Sequence, residues 1–314
     1  MAFDPRPYLK EIARGPHATR SLSRGAAREL FAAVFAGEVE DIALGGILVA
    51  LRMKNESVDE IAGMMEALAS HVAELRLPRG GARPLLLASY NGARKHPNLV
   101  PLLALLVARA GVPVLVHGAA QESSRVGTFE VLERLGHAPA ASLAEAEREL
   151  ESRGLAALPL ALLSPPLARV LGERARMGVR NAAHTLAKLL LPRGVGPGDA
   201  CRLISVTHPN FLELMRGYFA TAPGDALLMR GVEGEPVVRL HAPQPIVALR
   251  GGEETELAIE AADAAYTLPA READATARWT QEVLAGRLPA PAALAAEAAL
   301  IARHCGAARP VARG

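Results

Sequence analysis

From Pro84 onward the chain alternates short, almost wholly apolar runs with longer stretches of helical spacing, and this alternation restricts the fold more than any other feature. PLLLASY at 84–90 is followed by a helical run at 99–110 and then by VPVLVHG at 112–118. Runs this short and this apolar suit strands buried on both faces, which a parallel sheet flanked by helices provides. Further strands are predicted at 158–163, 202–206 and 226–229, with a helix at 211–219 between the last two. Helices at 273–284 and 291–304, separated by a break at 286–289, follow toward the C-terminus.

The first 75 residues carry a different period. Leu44, Ile47, Leu48 and Leu51 recur at i, i+3, i+4 and i+7, and Ile61, Met64, Met65 and Leu68 repeat that spacing, so two packed amphipathic helices are expected. Asn55 and Glu56 make a short turn between them, and Ser57 followed by Glu60 fits a capping box. Residues 75–83, with Pro78, Gly80 and Gly81, read as a linker. Between 166 and 191 the helical period lasts longer than a crossover needs, so this segment is expected to leave the sheet and rejoin the N-terminal helices. The predicted organisation is α/β: a small all-helical domain of residues 1–75, joined by 166–191, and a larger domain of 82–163 and 195–314 with a mostly parallel central sheet.

With 314 residues, half of them apolar, the chain is long enough for two such domains and too apolar for disorder, and it shows no repeat of solenoid length. MAFDPRPYLKEIARG carries Asp4 and Glu11 and has no apolar run of signal-peptide type, so a cytoplasmic protein is expected. The most apolar stretch, 99–116, holds Pro101, Arg109 and Pro113, which argues against a membrane span. Cys201 and Cys305 are far apart in sequence, with only His304 beside the second, so neither a disulfide nor a metal site is expected.

Charge is unevenly placed. Between residues 76 and 121 there is no acidic residue, against Arg76, Arg79, Arg83, Arg94, Lys95 and Arg109. Between 167 and 202, Arg169, Arg174, Arg176, Arg180, Lys188, Arg193 and Arg202 face only Glu173 and Asp199. Glu253, Glu254, Glu256, Glu260 and Asp263 form the compensating acidic run. Such asymmetry favours an anionic partner, and arginine's planar fork of donors suits phosphate oxygens.

Several stretches resemble the anthranilate phosphoribosyltransferase family over nearly the whole chain. LRMKNESVDEIAG at 51–63 is similar to that family's helix-turn-helix signature, and VHGAAQESSRVGTFEVLERLG at 116–136 aligns with its Lys-His-Gly-Asn run and the Ser-Ser that follows. RARMGVRN at 174–181 resembles its Arg-x-x-Leu-Gly-x-Arg-Thr, which places Arg174 on the arginine that faces the aromatic substrate. The resemblance implies a helical domain, a larger α/β domain and a homodimer held by the N-terminal helices.

The phosphoribosyl site is where the resemblance breaks. The family's phosphate-cradling Gly-Thr-Gly-Gly-Asp falls on Ala88, Ser89, Tyr90, Asn91 and Gly92, so the glycines that let backbone N–H groups approach a diphosphate are lost. Its Asn-Ile-Ser-Thr becomes Asn98, Leu99, Val100 and Pro101, and the Lys and Asn of Lys-His-Gly-Asn become Val116 and Ala119 around His117 and Gly118. Its Asp-Gly-Leu-Asp-Glu, whose last two carboxylates bind magnesium, reads Glu233, Gly234, Glu235, Pro236 and Val237. No metal or other cofactor is therefore expected. SYNGARKHPN at 89–98 resembles instead the phosphoribosyltransferase-like nucleic-acid-binding group typified by YbiB.

The expected function is non-enzymatic, largely sequence-independent binding of DNA or RNA. Its candidate contacts are Arg94, Lys95, Arg174, Arg176, Arg180, Lys188 and Arg193, with Arg176, Arg180, His184 and Lys188 forming an i+4 stripe if 169–191 is one helix. The vestigial ligand cleft would hold Tyr90, Asn91, Gly92, Asn98, His117, Gly118, Ser123 and Ser124, the serines lying on a phosphate-binding pair of the enzymes. Aromatic residues are too few for an extended base-stacking platform beyond Tyr90 and Tyr218. A transferase or phosphorylase acting on a nucleoside-like or aromatic substrate with altered phosphate contacts is the alternative.

Overall fold

The computed structural model describes residues 3–15, 18–119, 124–260 and 266–308. Helices α1 (Arg6–Ile12), α2 (Arg24–Ala36), α3 (Asp41–Lys54) and α4 (Val58–Leu68) come first, and α4 runs into a short 3-10 turn at Ala69–His71. Then follow β1 (Leu85–Ser89), α5 (Val100–Arg109), β2 (Val114–Gly118), α6 (Thr128–Arg134), α7 (Leu143–Arg153) and β3 (Leu155–Pro159). The chain passes through α8 (Leu160–Leu163), α9 (Pro165–Met177) and α10 (Ala183–Leu189) before β4 (Cys201–Val206), α11 (Pro209–Thr221) and β5 (Asp225–Arg230). β6 (Gln244–Arg250), β7 (Glu253–Ile259), α12 (Ala273–Leu284) and α13 (Ala292–Cys305) complete it. Among the described residues, no helix is long and apolar enough to cross a membrane.

The chain divides into two compact units, Met1–Glu74 with Leu160–Arg193 and Glu213–Ala222, and Leu75–Pro159 with Gly194–Leu212 and Pro223–Gly314. In the helical unit, Leu44, Ile47, Leu48, Leu51, Ile61, Met64 and Leu68 are all buried, so both apolar stripes are spent inside the unit. α2 and α4 approach so closely at Gly63 that a Cβ there would lie 2.2 Å from the Arg24 carbonyl oxygen. The capping box is present: Glu60 N–H donates to Ser57 Oγ at 3.2 Å, and Ser57 N–H donates to Glu60 Oε2 at 2.8 Å. The same buried carboxylate accepts from Lys54 Nζ at 2.6 Å and from Leu22 N–H at 2.8 Å, which offsets its loss of water.

The α/β unit is built on one seven-stranded sheet in the order β3-β2-β1-β4-β5-β6-β7. The pairs from β3 to β5 are parallel and those from β5 to β7 antiparallel. β1, β2 and β4 are buried along their whole length, which accounts for their unbroken apolar runs. Two expectations need correction. The strand expected at 158–163 lies at Leu155–Pro159, and Leu160–Leu163 is already helical. β6 and β7 add two strands to those expected, and the acidic run is an exposed edge strand in which Glu253 pairs with Arg250 and Glu256 with Val247. Charge on an edge suits it, since it discourages pairing with another chain. Asp263 lies outside the described residues.

Candidate functional site

In an open α/β sheet, ligands bind beyond the carboxyl ends of the strands where the strand order reverses. Here that point lies between β1 and β4, beyond Ser89 and Ser205. A tight turn from Val232 to Glu235 reaches into it, closed by Glu235 N–H donating to the Val232 carbonyl at 2.9 Å. Glu233 and Gly234 take φ of 53° and 87°, the pattern of a type I′ turn. A left-handed glutamate costs on the order of 1–3 kcal/mol, so the surroundings must hold it in place.

They do so with the loop that follows β1. Glu235 Oε1 accepts the N–H groups of Asn91 at 2.6 Å and Gly92 at 2.8 Å, and its Oε2 accepts Ser89 Oγ at 2.5 Å. Asn91 Nδ2 and Ser205 Oγ both donate to the Gly234 carbonyl, at 2.5 and 2.7 Å. A Cβ on Gly234 would stand 2.7 Å from Asn91 Nδ2, so glycine is required there by space as well as by φ. Glu233 accepts the N–H of Arg94 at 2.8 Å and of Lys95 at 3.1 Å. Burial opposes its ionisation, but the backbone N–H groups of Arg94, Lys95 and His96 hold its carboxyl below the ordinary carboxylate range. Two carboxylates of the protein thus occupy a nest of backbone donors of the kind that otherwise binds anions.

Asn98 supports this loop from below, donating to Thr128 Oγ1 at 2.9 Å and the Val126 carbonyl at 3.2 Å, while Thr128 shares a 2.7 Å hydrogen bond with Ser89. Tyr90 does not enter the cleft. It is 2% exposed, and its hydroxyl pairs with His117 Nδ1 at 2.7 Å. Burial pulls the His117 pKa down to about 4 and pushes Tyr90 well above its ordinary value, so both are neutral and neither serves as a stacking surface. Gly118 is glycine for packing, since a Cβ would lie 2.4 Å from the Ser89 carbonyl oxygen. Ser124 is exposed, and Ser123 lies outside the described residues.

Arg94 and Lys95 are exposed on the same loop. Arg271 donates to the Arg94 carbonyl at 2.6 Å, and Arg125 to the carbonyls of Asn91 and Gly92 at 3.2 and 3.1 Å. These two arginines join the basic loop only through the fold; nothing in their sequence surroundings marks them. Arg83 and Arg202, counted in the basic stretches, are spent internally on Asp225.

The single basic helix is corrected. α9 ends at Met177 because Gly178 adopts a left-handed φ of 72° and caps it, donating to the Arg174 carbonyl at 2.8 Å. α10 begins only at Ala183, so Arg176, Arg180, His184 and Lys188 share no helix face. Arg176 instead pairs with Asp41 at 2.8 Å and Glu173 at 3.0 Å, and Arg193 lies 3.8 Å from Glu74. His184 is 7% exposed, and its Nε2 has no hydrogen-bond partner among the described residues. Burial, then the charges of Arg180, Arg174 and Lys188, bring its pKa down to about 3. Those three cations thus lie near one neutral imidazole, on either side of the helix break.

Pro236 and Val237 offer no magnesium ligand at this end of the sheet. Cys201 and Cys305, far apart in sequence, are free thiols that both sit in one core cluster of the α/β unit, at the opposite end of the strands.

This architecture and its departures can be set beside known proteins. The helical bundle domain of the glycosyl transferase family matches residues 6–72 and its a/b domain matches residues 92–311, so the chain belongs to that family. Among its relatives, the uncharacterized protein YbiB of Escherichia coli K12 is 41% identical over 93% of this chain and 91% of its own length. The anthranilate phosphoribosyltransferase of Methylobacterium radiotolerans is 30% identical over 98% of this chain and 89% of its own. The crystal structure of the Thermus thermophilus anthranilate phosphoribosyltransferase superposes with a TM-score of 0.74 at 28% identity, covering 94% of this chain and 87% of that one.

Proposed function

We propose that this protein binds nucleic acids through their phosphate backbone, with little dependence on base sequence, and that it transfers no phosphoribosyl group to anthranilate. The observation that carries this reading is the filled nest. The Asn91 and Gly92 N–H groups, on the loop that by sequence resemblance matches the enzymes' diphosphate cradle, already hold the Glu235 carboxylate. A phosphoribosyl diphosphate would have to expel that carboxylate and then lie beside Glu233, at a like-charge cost that the missing magnesium ligands cannot offset.

What supports nucleic acid as the partner is cationic surface outside that nest. Arg94, Lys95, Arg125 and Arg271 collect on the α/β unit around one loop, and the half-buried Arg174, Arg180 and Lys188 lie near His184 on the helical unit. Cations placed this way meet phosphates without reading base edges, and each contact releases condensed counterions. The cytoplasm is the compartment proposed.

The protein is further proposed to be a homodimer through its N-terminal helices. The buried stripes are not the contact surface; the outer face of α3 is, with Ile42, Val49 and Met53 exposed at 86%, 41% and 79% and spaced i, i+7 and i+11. Apolar side chains recurring on one helix face in this way suit a partner surface.

Electrophoretic shift titration with unrelated duplex and single-stranded oligonucleotides at two salt concentrations tests the reading. Comparable, strongly salt-dependent affinities are expected for all of them. Sharp discrimination among duplexes, or magnesium-dependent binding of phosphoribosyl diphosphate in calorimetry, would overturn it and favour the transferase alternative.

A further inference from the structure

At the end of the sheet away from Ser89 and Ser205, Cys201 opens β4, Asp225 opens β5, and the last turn of α13 brings His304 and Cys305 to them. The backbone fixes both cysteines at the start of β1: Cys201 N–H donates to the Pro84 carbonyl at 2.9 Å, and the Cys305 carbonyl accepts Arg83 N–H at 2.8 Å. One donor atom each from Cys201, Asp225 and His304 lie within 4.8 Å of one another. The Cys201 thiol is hydrogen-bonded to both Cys305 and His304. His304 Nε2 meets Asp225 Oδ1 at 2.6 Å, while Arg83 pairs with the other oxygen of Asp225 and donates to the His304 carbonyl. Cys201, Asp225 and Cys305 are buried.

We propose that Cys201, His304 and Asp225, with the Cys305 thiol beside Cys201 moving in as fourth donor, form a closed binding site for a divalent transition-metal ion of the zinc class. Two sulfurs, an imidazole nitrogen and a carboxylate oxygen are the donor set such an ion takes in tetrahedral structural sites, whereas magnesium and calcium require oxygen donors throughout. Burial suits a closed site that no substrate needs to enter. The charges also balance, because two thiolates and a carboxylate offset the ion together with the Arg83 guanidinium. Binding releases the thiol protons to solvent and ties the starts of β1, β4 and β5 to the end of α13.

The test uses the full-length reduced chain, stripped with a chelator and titrated anaerobically with cobalt(II). A thiolate-to-cobalt charge-transfer band and the visible bands of tetrahedral cobalt are expected, saturating at about one ion per chain and abolished by added zinc. Cys201→Ser and Cys305→Ser remove the charge-transfer band. Should those buried replacements not fold, His304→Gln, checked for folding by circular dichroism, must lose the tetrahedral visible bands. A folded wild-type chain that shows no charge-transfer band and retains no zinc by elemental analysis overturns the proposal. So does a Cys201–Cys305 disulfide that forms on mild oxidation equally fast with and without zinc, since ligated thiolates would be protected.

Discussion

Glu235 and Gly92 are 143 residues apart in the chain, and the Glu235 carboxylate accepts the Gly92 N–H at 2.8 Å beyond the carboxyl end of β1. A carboxylate and a phosphate present similar anionic oxygens to backbone donors, so the chain supplies internally the charge that a nucleotide-like ligand would bring. The cost of burying that charge is offset by the donors it meets. The loop is therefore pinned in place with the exposed Arg94 and Lys95 on its outer side.

Removing the internal anion should unmask the nest. Glu235→Ala is expected to lower stability by about 1–3 kcal/mol, because buried N–H groups lose their acceptor. Sulfate or pyrophosphate should then raise the melting temperature of the variant and leave the wild type unaffected. Equal responses in thermal-shift measurements would show that the nest is not reopened.

Nucleic-acid binding should draw on the cations near His184 at the α9–α10 break. Replacing Arg174, Arg180 and Lys188 together by Gln is expected to reduce the log-log salt slope for a duplex by about 2.7, if each contacts one phosphate. An unaltered slope in a folded triple variant would contradict this role.

Stability should fall as the solution is acidified from pH 6.5 toward 4. His117 and His184 are neutral in the fold, with pKa values brought down by burial to about 4 and about 3, whereas an unfolded histidine titrates near 6.5. The unfolded chain binds more protons in this window, so each histidine removes up to about 1.4 kcal/mol per pH unit as pH falls. Glu297 acts with the opposite sign. Burial pushes its pKa up to about 8, so it stays protonated in the fold and weakens stability as pH rises from about 4.5 to 8. Urea unfolding of wild type and His117→Asn across this range isolates one contribution: the variant should show the shallower acid slope, with loss of the Tyr90 hydrogen bond appearing as a constant offset.

The α3 surface gives a direct test of assembly. Ile42→Glu with Met53→Glu is expected to convert a dimer into a folded monomer at micromolar concentration in light scattering, because two charges replace exposed apolar side chains without touching the buried Leu44, Ile47, Leu48 and Leu51. A wild-type monomer mass would remove the claim.

The sequence by itself determined the features that depend on neighbours close along the chain. Apolar runs placed β1, β2, β4 and β5, helical spacing placed α5 and α12, and the pairing of Ser57 with Glu60 placed the start of α4, since a strand's burial and a helix cap are written within a few residues. The same locality explains the failures. β7 is an edge strand that faces water, so it lacks the apolar signal of a strand, and the single Gly178 that divides α9 from α10 is hidden inside an otherwise unbroken helical period. Only the tertiary structure decided that Glu233 and Glu235 would serve as anions for the loop after β1, that Arg125 and Arg271 would join Arg94, and that Cys201 would meet Cys305. Each of those contacts joins segments far apart in the chain, where side-chain identity carries no record of the partner until the sheet and its flanking helices bring the two together.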